Sequence, residues 1–394
     1  MAYFDIIKTD SPATISKEIE AGKSRARNGI IHTAHGDIKT PAFLPIGTKG
    51  AVKAVTSEEL KFWGADIILA NTYHLWQRPG DALIYKAGGL HKFMNWNGPI
   101  CTDSGGYQVF SLAKMRKTME AGVLFQFDLD GKQEILSPEK SVDIQANLGS
   151  DIALILDDFP GYPFERKRSE ESIALTKRWA ERAVKEHKRI VVDGDPINPG
   201  QKLWGIVQGA SFADLREQSA RDMVELGFEG FAIGGVAVGE PHEDMLKAVE
   251  YAMPHLPESA PKHLLGVGTP YDIVQAVARG CDTFDCVIPT REARHSRLYV
   301  NVKHKSDGYS TINIGLEKYK EDFTSIDDTC NCYLCLNHSK SYLRHLFATG
   351  EPLAIRLATM HNLRFYLDLM EKIRKAIEYD YFEEMVVNYK EIES

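Results

Sequence analysis

Eight times along this chain a short apolar run, most often closed by Gly, Asn, Asp or Gln, is followed by an amphipathic segment. The runs lie at 42–46, 66–71, 99–103, 152–157, 203–208, 230–234, 263–268 and 283–287. Each reads as a strand, and the Gly, Asn, Asp or Gln that closes most of them suits the turn into a helix. The helices have readable starts. Thr56-Ser57-Glu58-Glu59 has capping-box character, and Ser169-Glu170-Glu171-Ser172 precedes a periodic apolar run through Ile173, Leu175, Trp179 and Ala183. Pro241-His242-Glu243-Asp244 puts proline and acids in a first turn, and Thr269-Pro270-Tyr271-Asp272 opens a short helix that closes at Gly280.

Eight strand–helix units predict an α/β fold, a (β/α)8 TIM barrel with insertions. A doubly wound open sheet is the alternative, but it more often carries a glycine-rich fingerprint after its first strand. Residues 47–53 hold Gly47 and Gly50 without GxGxxG. Residues 123–136 read as a hairpin around Asp130-Gly131, inserted after the third strand. Composition shifts from Cys330 onward, where 339–350 and 363–384 read as helices. We therefore expect a barrel with the catalytic site over 1–310 and a zinc-binding helical subdomain over 311–394, packed on the barrel.

The 394 residues need no disulfide staples. Three of the six cysteines fall within six residues, which argues for a metal site in a reducing compartment. No basic segment followed by an apolar stretch opens the chain, and no apolar run approaches the roughly 18 residues of a membrane span. A cytoplasmic protein without membrane contact is expected. The net charge of −8 argues against nucleic acid as a partner. Yet phosphate binding needs only local positive charge, and Arg291, Arg294, Arg297, Lys303 and Lys305, with His295 and His304 between them, form such a cluster. On composition alone a solvated basic loop is the simpler reading.

Polar residues at the C-terminal ends of barrel strands face the active site. Asp103, Asp157, Gln208, the Gly234-Gly235 pair and Asp285 would then converge on one mouth. Any single Asp there could be a helix N-cap, but convergence from separate strands weakens that reading. One carboxylate can attack an anomeric carbon while a second moves a proton at the leaving group, so the pattern points to glycosyl or ribosyl transfer. Cys330-x-Cys332-x2-Cys335, followed after 25 residues by His361, offers three thiolates and an imidazole. That is a closed, structural Zn2+ site, one per chain. His338 and His345 compete for the fourth position, although His338 is too close to Cys335 to reach easily.

Longer motifs carry a resemblance that covers nearly the whole chain. TDSGGYQVFSL at 102–112, LSPEKSVDIQANLGSDI at 136–152, GIVQG at 205–209, FAIGGVAVGE at 231–240, LLGVGTPYDIV at 264–274 and FDCVIPTR at 284–291 stand in one order, ahead of the cysteine pattern. The chain resembles the bacterial tRNA-guanine transglycosylases of the queuosine type (queuine tRNA-ribosyltransferase). That family exchanges the wobble guanine, position 34, of tRNAs with a GUN anticodon (those for Asp, Asn, His and Tyr) for a 7-deazaguanine, through a covalent ribosyl-aspartate. The resemblance implies Asp285 as nucleophile and Asp103 as general acid/base. It implies Asp157, Gln208 and the Gly235 backbone as hydrogen-bonding partners of the base, with Val236 beside them. Tyr107 stacks on one face of the base and Leu265 closes the other. Glu240 lies behind the Gly235–Val236 peptide, and Arg291 and Arg294 hold the anticodon stem-loop. A homodimer is also implied.

Two positions depart from the family pattern. Asp157-Asp158-Phe159 stands where Asp-Glu and a small residue are usual, and His295-Ser296 where Asn-Gly is common. Phe159 and Val238 are not small, so preQ1, with its short aminomethyl group, is expected to enter in preference to queuine. The Val236 carbonyl, with Glu240 behind it, would accept from the ammonium. Three rival readings make contrary expectations. The archaeal-type enzyme should carry an extra C-terminal RNA-binding domain, whereas 33 residues follow His361. A non-catalytic tRNA-binding homologue should lack the paired aspartates. An unrelated hydrolase with catalytic zinc conflicts with the saturated ligand set.

Overall fold

The computed structural model describes residues 2–10, 24–108, 116–127, 131–302 and 308–391. Lys303, His304 and Lys305 of the basic cluster, Asp130 of the expected hairpin turn, and 109–112 of the TDSGGYQVFSL motif lie outside the described residues.

Among the described residues nine strand segments form one parallel sheet that closes on itself. The first barrel strand is two segments, Ala42–Leu44 and Ile46–Gly47, parted by Pro45. The earlier segment pairs with the eighth strand, Thr283–Asp285, and the later one with the second, Ile68–Ala70. Between them the order runs through Ile100–Thr102, Ile152–Leu154, Lys202–Val207, Gly230–Ile233 and Lys262–Leu264. Each expected strand is present, though most are shorter than expected, because their polar ends leave the ladder at the mouth.

The helices form where local signals agree. Thr56 and Glu59 make a reciprocal capping box on Ser57–Phe62. Ser137 caps Pro138–Leu148, with proline in its first turn and left-handed Gly149 (φ 72°) after its end. This helix carries Gln145, fully buried, whose amide bonds both the N–H and the carbonyl of Leu154 at 3.0 and 2.9 Å. Gln145 thus replaces a ladder partner at the end of the fourth strand. The expected hairpin is Gly122–Gln126 against Gln133–Leu136, with Arg116–Met119 as a third strand.

The helix expected over 339–350 is present as Lys340–Thr349, with Ser339 as N-cap and Gly350 as C-cap. The reading of 363–384 as a helix differs from the structure. One helix runs Pro352–Glu378, beginning at a proline that suits a first turn, and a second runs Phe382–Asn388 past left-handed Asp380 (φ 58°). Phe365, Tyr366 and Leu369 of the long helix share a core with Phe43 and Phe284 of the barrel. The Tyr366 hydroxyl donates to the Gly268 carbonyl at 2.6 Å, just past the seventh strand. At the opposite end of the barrel the buried pair Arg27–Asp282 ties an N-terminal three-stranded sheet to the start of the eighth strand, at 2.7 and 2.8 Å.

Candidate active site

Asp103 follows the third strand, and its carboxylate is held from the second. Asn71 Nδ2 donates to Oδ2 at 2.5 Å, and the N–H groups of Thr72 and Gly105 donate to Oδ1 at 3.0 and 3.1 Å. Burial pushes the Asp103 carboxyl up to about 7 against these bonds, and the charge of Asp285 adds to the rise. Asp285, at the end of the eighth strand, accepts from His263 Nε2 and from the Gly266 N–H, both at 3.1 Å on Oδ1.

Asp157 follows the fourth strand, and burial pushes it up to about 7 as well. Gln208 is fully buried behind it and donates Nε2 to Asp157 Oδ2 at 2.5 Å. Gln208 Oε1 has no partner among the described residues. Beside it runs Gly234-Gly235. Gly235 has φ 64°, and a Cβ there would lie 2.3 Å from Gln208 Oε1, so conformation and space both require glycine.

Beneath this turn lies Arg216, fully buried. It donates to the carbonyls of Ala210, Val207 and Gly234 at 2.8, 3.0 and 2.8 Å, with Gly235 O at 3.5 Å. Burial pushes its guanidinium down to about 9. The Gly234 carbonyl faces Arg216, so the N–H of Gly235 across the trans peptide points away from it. Glu240 accepts from Ala237 N at 2.5 Å and Val238 N at 2.9 Å. It therefore holds the peptides after Val236 and Ala237, not the Gly235–Val236 peptide expected from the sequence.

Asp103, Asp157, Gly235, Val236, Leu265, Asp285 and Arg291 line one cavity of about 460 Å³. Tyr107, 52% exposed, lies at its rim and stacks on Phe159 with centroids 5.7 Å apart and planes 22° apart. Phe159 is buried in the wall and so does not point away from the site. Arg291 and Arg294 sit on the short helix Ile288–Arg294 that leads out of the eighth strand, Arg291 half-exposed and Arg294 bonded to Thr290 O at 2.9 Å.

Cys330, Cys332, Cys335 and His361 meet, all buried. The three sulfurs lie 3.8, 3.5 and 3.3 Å from His361 Nδ1. Tetrahedral zinc with ordinary bond lengths would put S and N about 3.6 Å apart. The Tyr299 carbonyl, 2.7 Å from His361 Nε2, fixes the proton there and leaves the Nδ1 lone pair for a metal. Hydrogen bonds from Cys330 and Cys335 hold the Cys332 thiol below its usual range, which favours the form that binds metal. The residues fit the metal, and His338 does not compete, since it stacks on Tyr342.

A second group, His35, His91 and Asp151, closes the far end of the barrel. His91 Nε2 sits 3.1 Å from the Gly98 carbonyl and 3.3 Å from Asp151, so it carries a proton and is not a ligand atom.

Asn71, His263 and Arg216 were missed as site residues by sequence reasoning. Asn71 closes the second strand, and that was its signal. Arg216 lies on the apolar stripe of its helix with Leu215, Ser219, Ala220 and Met223, an arginine on the buried face. His263 sits early in its strand and gave no signal.

A parallel barrel whose mouth gathers carboxylates and glycine backbone around one cavity has the groups that nucleophilic and acid–base group transfer needs. Its relatives sharpen the class. The family model described as Queuine tRNA-ribosyltransferase matches residues 22–393. A queuine tRNA-ribosyltransferase of Psychrobacter cryohalolentis is 47% identical over 366 residues, 93% of each chain. One from Listeria innocua is 48% identical over 96% of this chain and 93% of its own. One from Halothermothrix orenii is 48% identical over 91% of each. The chain belongs to the queuine tRNA-ribosyltransferase family, a family of transferases.

Proposed function

We propose that this protein is a tRNA-guanine transglycosylase of queuosine synthesis. On this reading it replaces guanine 34 of GUN-anticodon tRNAs with a 7-deazaguanine. The observation that carries the reading is the meeting of Asp103, Asp157 and Asp285, from three strands, on one cavity. Asp285 attacks C1′ of the ribose. The C1′–N9 bond breaks, its electron pair leaves with guanine, and Asp103 supplies the proton. In the second half Asp103, now a carboxylate, takes the N9 proton of the incoming base as that nitrogen attacks C1′ and the ester to Asp285 breaks. A carboxyl at about 7 suits both roles.

Asp157 accepts from N1–H and N2–H2 of the base, while Gln208 and the Gly235 N–H serve O6. Tyr107 covers one face and Leu265 the other. Arg291 and Arg294 hold the anticodon stem-loop by its phosphates, local positive charge on an acidic chain. The Cys3His centre binds one Zn2+, which supplies structural cross-linking between the Cys330–Cys335 turn and the long C-terminal helix. Residues 311–394 form the zinc-bearing subdomain on the barrel of 1–310. Tyr333, Leu336 and Tyr342 stand exposed on it, which supports a homodimer through that face. Three thiols in one centre fit the reducing cytoplasm.

PreQ1 is the favoured incoming base. Phe159 occupies the wall, and Val238 lies beside the turn. Because the Ala237 N–H faces Glu240, the Val236 carbonyl points the opposite way and is free to accept from the aminomethyl ammonium.

Four outcomes test these assignments. Labelled-guanine exchange into a GUN-anticodon tRNA should proceed in wild type. Asp285→Asn should leave neither exchange nor a denaturation-resistant protein–tRNA adduct, and an adduct in this variant would sink the nucleophile. Asp103 must be protonated for guanine to leave, so single-turnover guanine release should fall about tenfold per pH unit above pH ~7. A flat profile from pH 6 to 9 would remove Asp103 as the acid. Metal analysis of protein purified without chelators should return one zinc per chain, and Cys332→Ser should lower both metal content and Tm; metal-free, stable wild type would refute the centre. In competition, kcat/KM for preQ1 should exceed that for queuine, and the reverse order would mean that Phe159 and Val238 leave room for the larger ring.

A further inference from the structure

We propose that His263 is a positioning residue that anchors one oxygen of Asp285 and leaves the other free to attack. The inference rests on Asp285 being the nucleophile. The strand register builds the arrangement. His263, on the seventh strand, is the direct partner of Thr283 on the eighth. Thr283 and Asp285 are two residues apart, so their side chains share a face of the sheet. The imidazole spans from one to the other, with Nδ1 2.9 Å from Thr283 Oγ1 and Nε2 3.1 Å from Asp285 Oδ1. It is 1% exposed, so water does not compete for either nitrogen.

The tautomer follows from these contacts. A neutral imidazole has one donor and one acceptor nitrogen. An unprotonated Nε2 would set a lone pair against the carboxylate, so the proton belongs on Nε2. Nδ1 then accepts from the Thr283 hydroxyl, which can turn to donate. Thr283 thereby fixes the ring in the form that donates to Asp285.

Among the described residues both donors to Asp285, His263 Nε2–H and the Gly266 N–H, fall on Oδ1. Oδ2 is left for C1′. When the ester forms at Oδ2, Oδ1 becomes a carbonyl oxygen held by the same two donors. When the ester breaks, the charge returns to a carboxylate already bonded. The clamp therefore acts on chemistry in both halves of the exchange and not on RNA binding. Loss of such alignment costs on the order of 10²-fold.

The experiment measures single-turnover adduct formation on an anticodon stem-loop RNA, together with RNA Kd and Tm, for wild type, His263→Phe, His263→Gln, Thr283→Val and Asp285→Asn. His263→Phe should slow adduct formation on the order of 10²-fold at unchanged Kd. His263→Gln keeps an Nε2 donor and should recover most of the rate. Thr283→Val, which frees the tautomer, should fall between them. A wild-type rate in His263→Phe overturns the proposal. So does a folded His263→Gln as slow as His263→Phe, which would make the role one of packing. If His263→Phe does not fold, an unchanged rate in Thr283→Val overturns it and a lowered rate at unchanged Kd supports it. Adduct in Asp285→Asn removes the nucleophile reading and this inference with it. No adduct there, with fast His263→Phe, removes this inference alone.

Discussion

Everything at the mouth depends on the closure of the barrel at Pro45. A proline cannot donate to a ladder, and here it divides the first strand so that one segment reaches the eighth strand and the other the second. The Pro45 carbonyl still accepts the Leu69 N–H at 3.0 Å, so the break costs the ring little. With the ring closed, Asp103 and Asp285 come from strands far apart in sequence yet act on one another, the charge of Asp285 raising the carboxyl of Asp103. An open sheet would leave those strand ends in a row rather than around a cavity.

The two ends of the barrel carry opposite electrostatic designs. At the mouth burial raises Asp103 and Asp157 to about 7. Each binds its proton more tightly folded than unfolded, so stability falls as pH rises from the ordinary carboxylate range to about 7. For a shift of this size the loss is about 4 kcal/mol at most per group. At the far end burial also works against the charge of Asp151. Hydrogen bonds from His91, His35 and the Ile100 N–H more than offset it and hold that carboxyl below its usual range. Asp151 therefore contributes stability above the unfolded pKa, lost as pH falls through its folded value. The far end thus offsets at neutral pH part of what the mouth loses, with strain concentrated where chemistry needs a proton.

Much of this was legible in the sequence because its signals are local. Strand-closing polar residues, the Thr56 capping box and the cysteine spacing each need only a few neighbouring residues. By spacing, three histidines lie within reach of the fourth position; the Tyr299 carbonyl behind Nε2 is what distinguishes His361. Contacts between strands were not legible. Asn71 on Asp103, His263 on Asp285 and Arg216 under Gly234-Gly235 join residues 32, 22 and 18 positions apart or more, and they depend on strand register and helix rotation. Glu240 was placed one peptide too early because a tight turn with left-handed Ala237 (φ 59°) brings two successive N–H groups onto one carboxylate. Phe159 shows the same limit. Its bulk could be read from the sequence, but its direction came only with the turn that follows the fourth strand.

Burial raises the Asp157 carboxyl to about 7, and Gln208 Nε2 is its hydrogen-bonding partner. In the proposed reading the base brings N1–H and N2–H2 to this carboxylate, and both are donors. They favour the ionised form, so base binding draws the pKa of Asp157 down and releases a proton. The same step gives Gln208 an alternative to Asp157, since the base oxygen lies between its amide and the Gly235 N–H. Among the described residues the Arg216 guanidinium bonds carbonyls and no carboxylate, so its bonds do not change when Asp157 changes charge. A clamp built on backbone carbonyls leaves the Gly235 N–H in place when the neighbouring carboxylate changes charge.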